Sequence, residues 1–167
     1  MMILRHGTAL LLCLGACTPL RPRVSLERGA SLTDYRVFIV GPVTNQTGAR
    51  FNLNVTDFLR QELTLRLRSH GLTVVTEAAA ETDDPALVIT SALVGFKGMS
   101  FALQIPGPGV TKCELHSELN DLETGRRIGQ IVASALEERT RPLTVLNMCA
   151  HDLADAIERE VRRGRRR

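Results

Sequence analysis

Aromatic side chains are scarce in this sequence, and tryptophan is absent. The 167 residues include five phenylalanines and one tyrosine. Proteins commonly bind sugars and nucleic-acid bases by stacking them on aromatic rings, so this composition argues against such a binding platform. The formal net charge is only +3 at pH 7, which is not the balance of a nucleic-acid-binding protein. We therefore expect no nucleic-acid partner.

The sequence also lacks an apolar run long enough for a membrane-spanning helix. Residues 8–16, TALLLCLGA, form a short hydrophobic stretch that follows Arg5 and His6. A transmembrane helix needs about 20 apolar residues, whereas a basic start and a short apolar run are typical of a secretory signal peptide. We expect residues 1–16 to be removed, which leaves 151 of 167 residues, the size of one domain.

The end of this stretch resembles the lipobox of bacterial lipoproteins. It reads Leu14, Gly15, Ala16 and Cys17. The resemblance implies that Cys17 becomes the acylated first residue of the mature chain, and two or more acyl chains anchor a protein stably to a bilayer. Thr18 stands where an aspartate would signal retention in the inner membrane, so the periplasmic face of the outer membrane is expected. The alternatives are an ordinary cleaved signal or a buried N-terminal segment.

The remaining chain predicts one α+β domain. Residues 17–33 mix proline, arginine, serine and glycine without periodicity, which predicts a tether between lipid and domain. Residues 34–162 predict the order β-α-β-β-β-β-α, which favours a mostly antiparallel sheet of about five strands with both helices on one face. Residues 163–167 are a basic tail, interpreted either as a binder of anionic lipid head groups or as a disordered solubilising segment.

Two amphipathic patterns predict the helices. The first begins after Asn54, a good N-cap, and ends at Gly71. Its apolar face consists of Val55, Phe58, Leu59, Leu63 and Leu67. The second follows Pro142, with Leu146, Cys149, Ala150, Leu153, Ile157 and Val161 on one face. Both helices should therefore pack on the sheet through these faces.

Two strand patterns indicate where the sheet is buried. Residues 86–96 are apolar at both alternating sets of positions, which favours a central strand. Residues 110–119 alternate instead, with one dry and one wet face. The dry face holds Cys113, Leu115 and Leu119, and the wet face holds Lys112, Glu114, His116 and Glu118.

Cys113 and Cys149 form a candidate disulfide. Both are predicted on the dry faces of their elements, in the layer between helix and sheet, and an exported protein folds in an oxidising compartment. The bond would close a loop of about 35 residues and contribute roughly 3 to 4 kcal/mol. The other interpretation is two free thiols that pack as small hydrophobic groups. A zinc site with His116 and His151 is not expected, because strand and helix geometry turns these ligands apart. We expect no metal ion and no cofactor.

The segment 97–109, KGMSFALQIPGPG, is a candidate contact surface. Its apolar residues Met99, Phe101, Leu103 and Ile105 alternate before a Gly/Pro sequence that would break regular structure. One hypothesis is that these four side chains contact a partner protein or the membrane. The alternative is that the segment extends the flanking strands and packs on the core.

Residues 86–136 resemble a family of small bacterial lipoproteins that contain the domain of unknown function 4410. The resemblance rests on the strand ALVITSALVGF and on the strand and turn CELHSELNDLETGRRIG, which includes the D-x-x-T-G turn at 121–125. Such domains are similar in plan to the N-terminal domain of the translocation protein TolB and the periplasmic part of the curli secretion lipoprotein CsgG. The resemblance implies an envelope domain that binds or assembles with other proteins and has no catalytic residues.

No arrangement of residues predicts catalysis. The histidines at 70, 116 and 151 are scattered, and no G-x-S-x-G sequence is present. We therefore expect a lipid-anchored, non-enzymatic binding or assembly domain with an envelope protein as its partner. The alternatives are an accessory lipoprotein for lipid or lipopolysaccharide transport and a periplasmic hydrolase.

Overall fold

The domain is a single mixed β-sheet with two helices on one of its faces. A computed structural model describes residues 21–76, 82–97, 110–138 and 141–166. The strands are β1 (Arg23–Leu26), β2 (Val37–Asn45), β3 (Thr73–Thr76), β4 (Ala86–Lys97), β5 (Val110–Asp121) and β6 (Arg127–Glu138). The helices are α1 (Val55–Ser69) and α2 (Pro142–Arg165), and a short 3-10 helix spans Leu32–Asp34. The α+β class and the two helices are confirmed, with six strands where about five were predicted.

The sheet has the strand order β1-β6-β5-β4-β2-β3. The pairings of β1 with β6, β6 with β5 and β5 with β4 are antiparallel. Strand β2 pairs in parallel with both β3 and β4. The parallel part arises because α1 connects β2 to β3 as a crossover, which returns the chain to the same end of the sheet. As predicted, β4 is a central strand.

Helix α1 forms where its sequence pattern predicts. Asn54 caps the helix, since its side chain accepts a hydrogen bond from the backbone N–H of Asp57 at 3.3 Å. Gly71 has φ +77°, a conformation that costs glycine little, and it stops the helix. The buried apolar residues recur every four positions and are Val55, Leu59, Leu63 and Leu67. This face therefore packs on the sheet as one continuous stripe.

Helix α2 follows its predicted face but continues further than the sequence suggested. All six residues predicted on its apolar face are buried. The helix runs to Arg165, so residues 163–165 are helical and not part of a separate tail. Arginine is a good helix former, and positive charge suits a helix C-terminus. Gly164 lets this last turn approach the 3-10 helix, because a Cβ there would lie 2.6 Å from Cγ2 of Thr33.

Part of the predicted tether belongs to the sheet. Within residues 17–33, strand β1 pairs with β6, so that Arg23 lies opposite Val132 and Leu26 opposite Gly129. Val24 and Leu26 pack partly against the core. Gly129 makes this close approach feasible, because a Cβ there would lie 2.7 Å from both Cδ2 of Leu26 and the backbone oxygen of Ser25. The alternation in β1 is only four residues long, which is too short to recognise in the sequence.

The strand directions define two ends of the domain. At the end that we call the entry end, β2, β4 and β6 finish and β5, α1 and α2 begin. Strand β1 is antiparallel to β6, so the chain arrives from the entry end and runs away from it. Both helices run in the same direction and finish at the opposite end. The arginine-rich end of α2 therefore lies at the other end of the domain from the arriving N-terminal chain.

The D-x-x-T-G turn connects β5 to β6 as predicted. Asp121 Oδ1 accepts hydrogen bonds from the backbone N–H and the hydroxyl of Thr124, at 2.8 and 2.7 Å. Tyr35 donates its hydroxyl proton to Asp121 Oδ2 at 3.0 Å. Burial and this hydrogen bond raise the pKa of Tyr35 to about 12, and the bonds from Thr124 and Tyr35 lower the pKa of Asp121. The turn therefore also fixes the segment before β2.

Candidate functional site

Two groups of polar side chains among the described residues are candidate sites, one between the helices and one on the sheet. We call the first the helix seam, formed by Glu62 and Arg66 of α1 and by His70, which caps its end, with Asn147, His151 and Asp155 of α2. We call the second the β5 ladder, formed by Lys112, Glu114, His116 and Glu118. The helix seam was not predicted, whereas the β5 ladder is the predicted wet face.

Asp155 is the centre of the helix seam. Arg66 donates from Nε to Oδ1 at 2.9 Å and from Nη2 to Oδ2 at 3.3 Å, which is the paired geometry that guanidinium and carboxylate groups favour. His70 Nε2 lies 2.7 Å from Oδ1. Burial alone would raise the pKa of Asp155, but the hydrogen bonds from Arg66 and His70 lower it. Asp155 is therefore held as a carboxylate that joins α1 to α2.

Glu62 makes the second cross-helix contact of the seam. Its Oε2 accepts a hydrogen bond from Nδ2 of Asn147 at 3.2 Å and lies 3.5 Å from Nε2 of His151. Asp152, one residue further along α2, has a raised pKa because it is partly buried and because Asp155 repels a second negative charge. Along α1, Glu62 contacts Asn147 and His151, and Arg66 further on contacts Asp155, so the contacts advance in the same direction on both helices. They hold the two helices side by side in parallel.

A histidine beside an aspartate also occurs in hydrolases, so the surroundings of His70 matter. A hydrolytic triad needs a nucleophile within hydrogen-bond reach of the histidine. Ser69 is next in sequence, but its hydroxyl donates to the backbone oxygen of Arg66 at 2.7 Å. The contacts of His70 and Ser69 therefore position α1 rather than activate a hydroxyl group.

The β5 ladder lies on the sheet face opposite the helices. Glu114 is its centre, with His116 Nε2 at 2.8 Å and Lys112 Nζ at 3.3 Å. The pKa of Glu114 is lowered mainly by the hydrogen bond with His116, and also by Lys112. Leu136 of β6 lies opposite Lys112 in the sheet and exposes 48% of its surface. The face therefore combines paired charges of both signs with an exposed apolar group.

The predicted cysteine pair is brought together, and the zinc constellation is not. Cys113 and Cys149 are both fully buried and belong to the same hydrophobic core between the sheet and α2. His116 lies on the β5 ladder and His151 on the helix seam, so neither shares a site with the cysteines. Among residues 21–76, 82–97, 110–138 and 141–166, no three His, Cys, Asp or Glu side chains are grouped to hold a metal ion.

Two other predicted sites lie outside the described residues. They are the acylated Cys17 and the contact surface of Met99, Phe101, Leu103 and Ile105. Their predicted roles stay predictions. The structure does show that β4 ends and β5 begins at the entry end, so the segment between them leaves and rejoins the sheet there. No helix in the described part of the chain has the length and apolar character needed to cross a bilayer.

The helix seam has a sequence signal that could have revealed it. Glu62, Arg66 and His70 are spaced by four along α1 and its C-cap, and Asn147, His151 and Asp155 are spaced by four on α2. Two polar stripes of this length, each with complementary charges, indicate helices that meet along their edges. A single polar stripe on one helix looks the same as an ordinary solvent-exposed face. The complementary charges of the two stripes indicate a contact only once the helices are known to lie side by side.

Comparison with solved structures shows which proteins share this fold. A variant of the PelC dodecamer from Paraburkholderia phytofirmans superimposes with a TM-score of 0.62 at 15% identity, covering 81% of this chain and 98% of that chain. The protein CT253 from Chlamydia trachomatis gives a TM-score of 0.58 at 13% identity, with coverages of 76% and 98%. XCC0632 from Xanthomonas campestris, of family DUF330, gives 0.51 at 11%, with coverages of 89% and 95%.

These likenesses show the fold alone. No family model matches the sequence, and no curated protein matches it. The expected resemblance to the domain of unknown function 4410 is therefore not confirmed. The α+β fold is present, and the three solved structures that share it come from bacteria. The chain shares its fold with PelC, CT253 and XCC0632 over nearly the whole length of each.

Proposed function

We propose that this protein is a lipid-anchored lipoprotein of the bacterial cell envelope whose α+β domain acts by binding, not by catalysis. Cys17 would carry the lipid on the periplasmic face of the outer membrane. The proposal is supported by the lipobox-like residues 14–17 and by a fold shared with small bacterial proteins. The main structural observation behind the proposal is strand β1, because its position limits the distance and the orientation of the domain relative to the membrane.

Strand β1 leaves a very short connection to the acylated residue. The first paired residue, Arg23, lies only six residues after Cys17. Six residues extend about 20 Å at most, whereas a free tether ending at Asp34 would extend more than about 50 Å. The anchored domain therefore stays next to the bilayer, with its entry end towards the lipid. A protein held this closely is suited to binding partners at the membrane surface.

The sheet face that carries the β5 ladder is the proposed binding surface, and we propose a second copy of this chain as its first partner. The face presents Glu114 with Lys112 and His116, and Glu118 within 3.8 Å of Arg127, so charges of both signs alternate across it. Alternating charge is self-complementary when two copies meet. PelC, which has the same fold, is solved as a dodecamer. Light scattering of the detergent-extracted protein tests this; a monomer crosslinked in cells to a different envelope protein would assign the face to that protein.

The two alternatives have less support. A lipid or lipopolysaccharide carrier would need an apolar groove between sheet and helices, and the described residues there form one continuous buried core. A hydrolase would need converging polar groups in a cleft, and the polar groups of the helix seam are occupied with one another.

The anchoring is tested by replacing the sulfur of Cys17. Cys17→Ser should abolish incorporation of labelled palmitate and move the protein from the membrane to the soluble envelope fraction, because a hydroxyl cannot form the thioether. Cys13→Ser is the matched control, since it changes a cysteine within the predicted signal and should leave labelling intact. Membrane association and labelling that are the same in wild type and Cys17→Ser would overturn the proposal.

A further inference from the structure

Two buried thiols meet between the sheet and α2. Cys113 lies on the core face of β5, opposite Ala135 in the register, and Cys149 lies on the sheet-facing side of α2. Both side chains are fully buried and both are free thiols in the structure. Cys149 Sγ donates to the backbone oxygen of Ala133 at 3.4 Å, and Ala133 is two residues from Ala135, the partner of Cys113 in the sheet. Two residues 36 positions apart thus lie in the same buried layer, beside neighbouring residues of β6.

Small side chains bring α2 close enough for a covalent bond. On β6, Ala133 and Ala135 face the helix, and on α2, Ala150 and Ala154 face the sheet; all four are buried. Methyl groups at these positions let the backbones approach more closely than leucine or valine would. A disulfide needs Cβ atoms about 3.8 Å apart, and a close approach of α2 to the sheet favours such a spacing.

We propose that Cys113 and Cys149 form a disulfide that covalently joins β5 to α2 in the mature protein. The inference rests on the proposed function for its setting, because the cell envelope is oxidising and the cytosol is not. Each thiol gives up its proton, one sulfur–sulfur bond forms, and the two electrons pass to an oxidised partner. That partner is a disulfide, either of an envelope thiol–disulfide oxidoreductase or of glutathione, which is reduced to two thiols.

The bond forms before α2 has docked. The thiolate is the attacking species in thiol–disulfide exchange, and an oxidant must reach it. In the folded dithiol both sulfurs are inaccessible, and the hydrogen bond with Cys149, together with burial, raises the pKa of Cys113. A chain that has folded with reduced thiols should therefore resist oxidation until it is unfolded.

Refolding tests the pairing independently of export. In the full chain with Cys13→Ser and Cys17→Ser, Cys113 and Cys149 are the only thiols. Refolding from denaturant in a glutathione redox buffer should give one intramolecular 113–149 disulfide by differential alkylation and peptide mapping. Reduction should lower the melting temperature by about 10 °C, as expected for a loop of this length. Further replacement of both cysteines by alanine is the control, in which reductant should have no effect.

Failure of this inference is distinguishable from failure of the proposed function. Refolded protein in which both thiols are alkylated, or which is crosslinked only between chains, would overturn the pairing. A second measurement uses wild-type protein isolated from cells and alkylated in denaturant without reductant. Mass spectrometry then shows whether Cys17 is acylated and whether Cys113 and Cys149 are free or bonded. An acylated Cys17 together with free thiols at 113 and 149 would overturn the disulfide and support the lipid anchor. Wild-type protein from cells that keeps residues 1–16 and carries no acyl chain would overturn the anchor, while a 113–149 bond in the refolded protein would still support the pairing.

Discussion

Strand β1 is tested by adding a single methyl group to its partner strand. In Gly129→Ala the new Cβ would lie 2.7 Å from the backbone oxygen of Ser25, so the clash cannot be relieved by a side-chain rotation. Overpacking of this kind costs about 1–3 kcal/mol. The upper limit is the free energy that β1 contributes, since the strand can detach instead.

That limit follows from the two side chains that β1 places on the core. Val24 and Leu26 are partly buried. If each contributes about half of the 1.5–3 kcal/mol of a fully buried aliphatic side chain, their sum is about 2 kcal/mol. We therefore expect Gly129→Ala to lower the free energy of unfolding by about 2 kcal/mol and to leave β1 detached in much of the folded population.

Urea unfolding measures the stability, and limited trypsin digestion reports the detachment. Trypsin should cleave after Arg23 and Arg28 faster in the variant, because detachment exposes the backbone between them. Ser134→Ala is the control, since it changes the same strand beyond the residues that pair with β1. Wild-type stability together with an unchanged cleavage pattern in Gly129→Ala would refute the assignment of β1 to the sheet.

Two further changes probe the helix seam and the D-x-x-T-G turn. Asp155→Asn should cost about 1 kcal/mol in urea at pH 7, because Arg66 and His70 lose a carboxylate that is only half-buried and therefore partly screened. Because the folded pKa of Asp155 is lowered, its stabilisation is present above its unfolded pKa of about 3.9 and is lost as the pH falls through the folded value; a cost that does not decrease in acid would contradict this. Gly125→Ala should cost about 1 kcal/mol, since Gly125 has φ +65° and no neighbour that a Cβ would meet. Gly125→Asn should cost less, and equal stabilities for both variants would show that the backbone conformation is not the cause.

The helices and the central sheet were predictable because their signals are long and locally complete. Helix α1 has a cap at Asn54, a stripe of apolar residues every four positions and a stop at Gly71, all within one stretch of chain. Strand β5 alternates for its whole length, so its dry and wet faces were assigned correctly. In each case the same residues determine the local conformation and the face that is buried.

The features that were missed depend on residues far apart in the sequence. Strand β1 has only four residues, and what holds it is the absence of a side chain at Gly129, about a hundred residues later. The parallel pairing of β2 with β4 depends on where the chain goes after β3, since β3 and β4 lie on opposite sides of β2. The last turn of α2 packs on Thr33, which lies about 130 residues earlier in the sequence. The sequence pattern of one segment carries no information about contacts with residues far away in the chain.

The parallel course of α1 and α2 has an electrostatic consequence. Each helix behaves as a dipole with about half a positive charge at its N-terminus and half a negative charge at its C-terminus. Side by side in the same direction, the two dipoles repel, where an antiparallel pair would attract. Arginines fill the last turn of both helices: Arg66 and Arg68 on α1, and Arg162, Arg163 and Arg165 on α2. The arginines in the last turn of each helix offset the negative pole of that helix, which gives the arginine-rich C-terminus a role within its own chain.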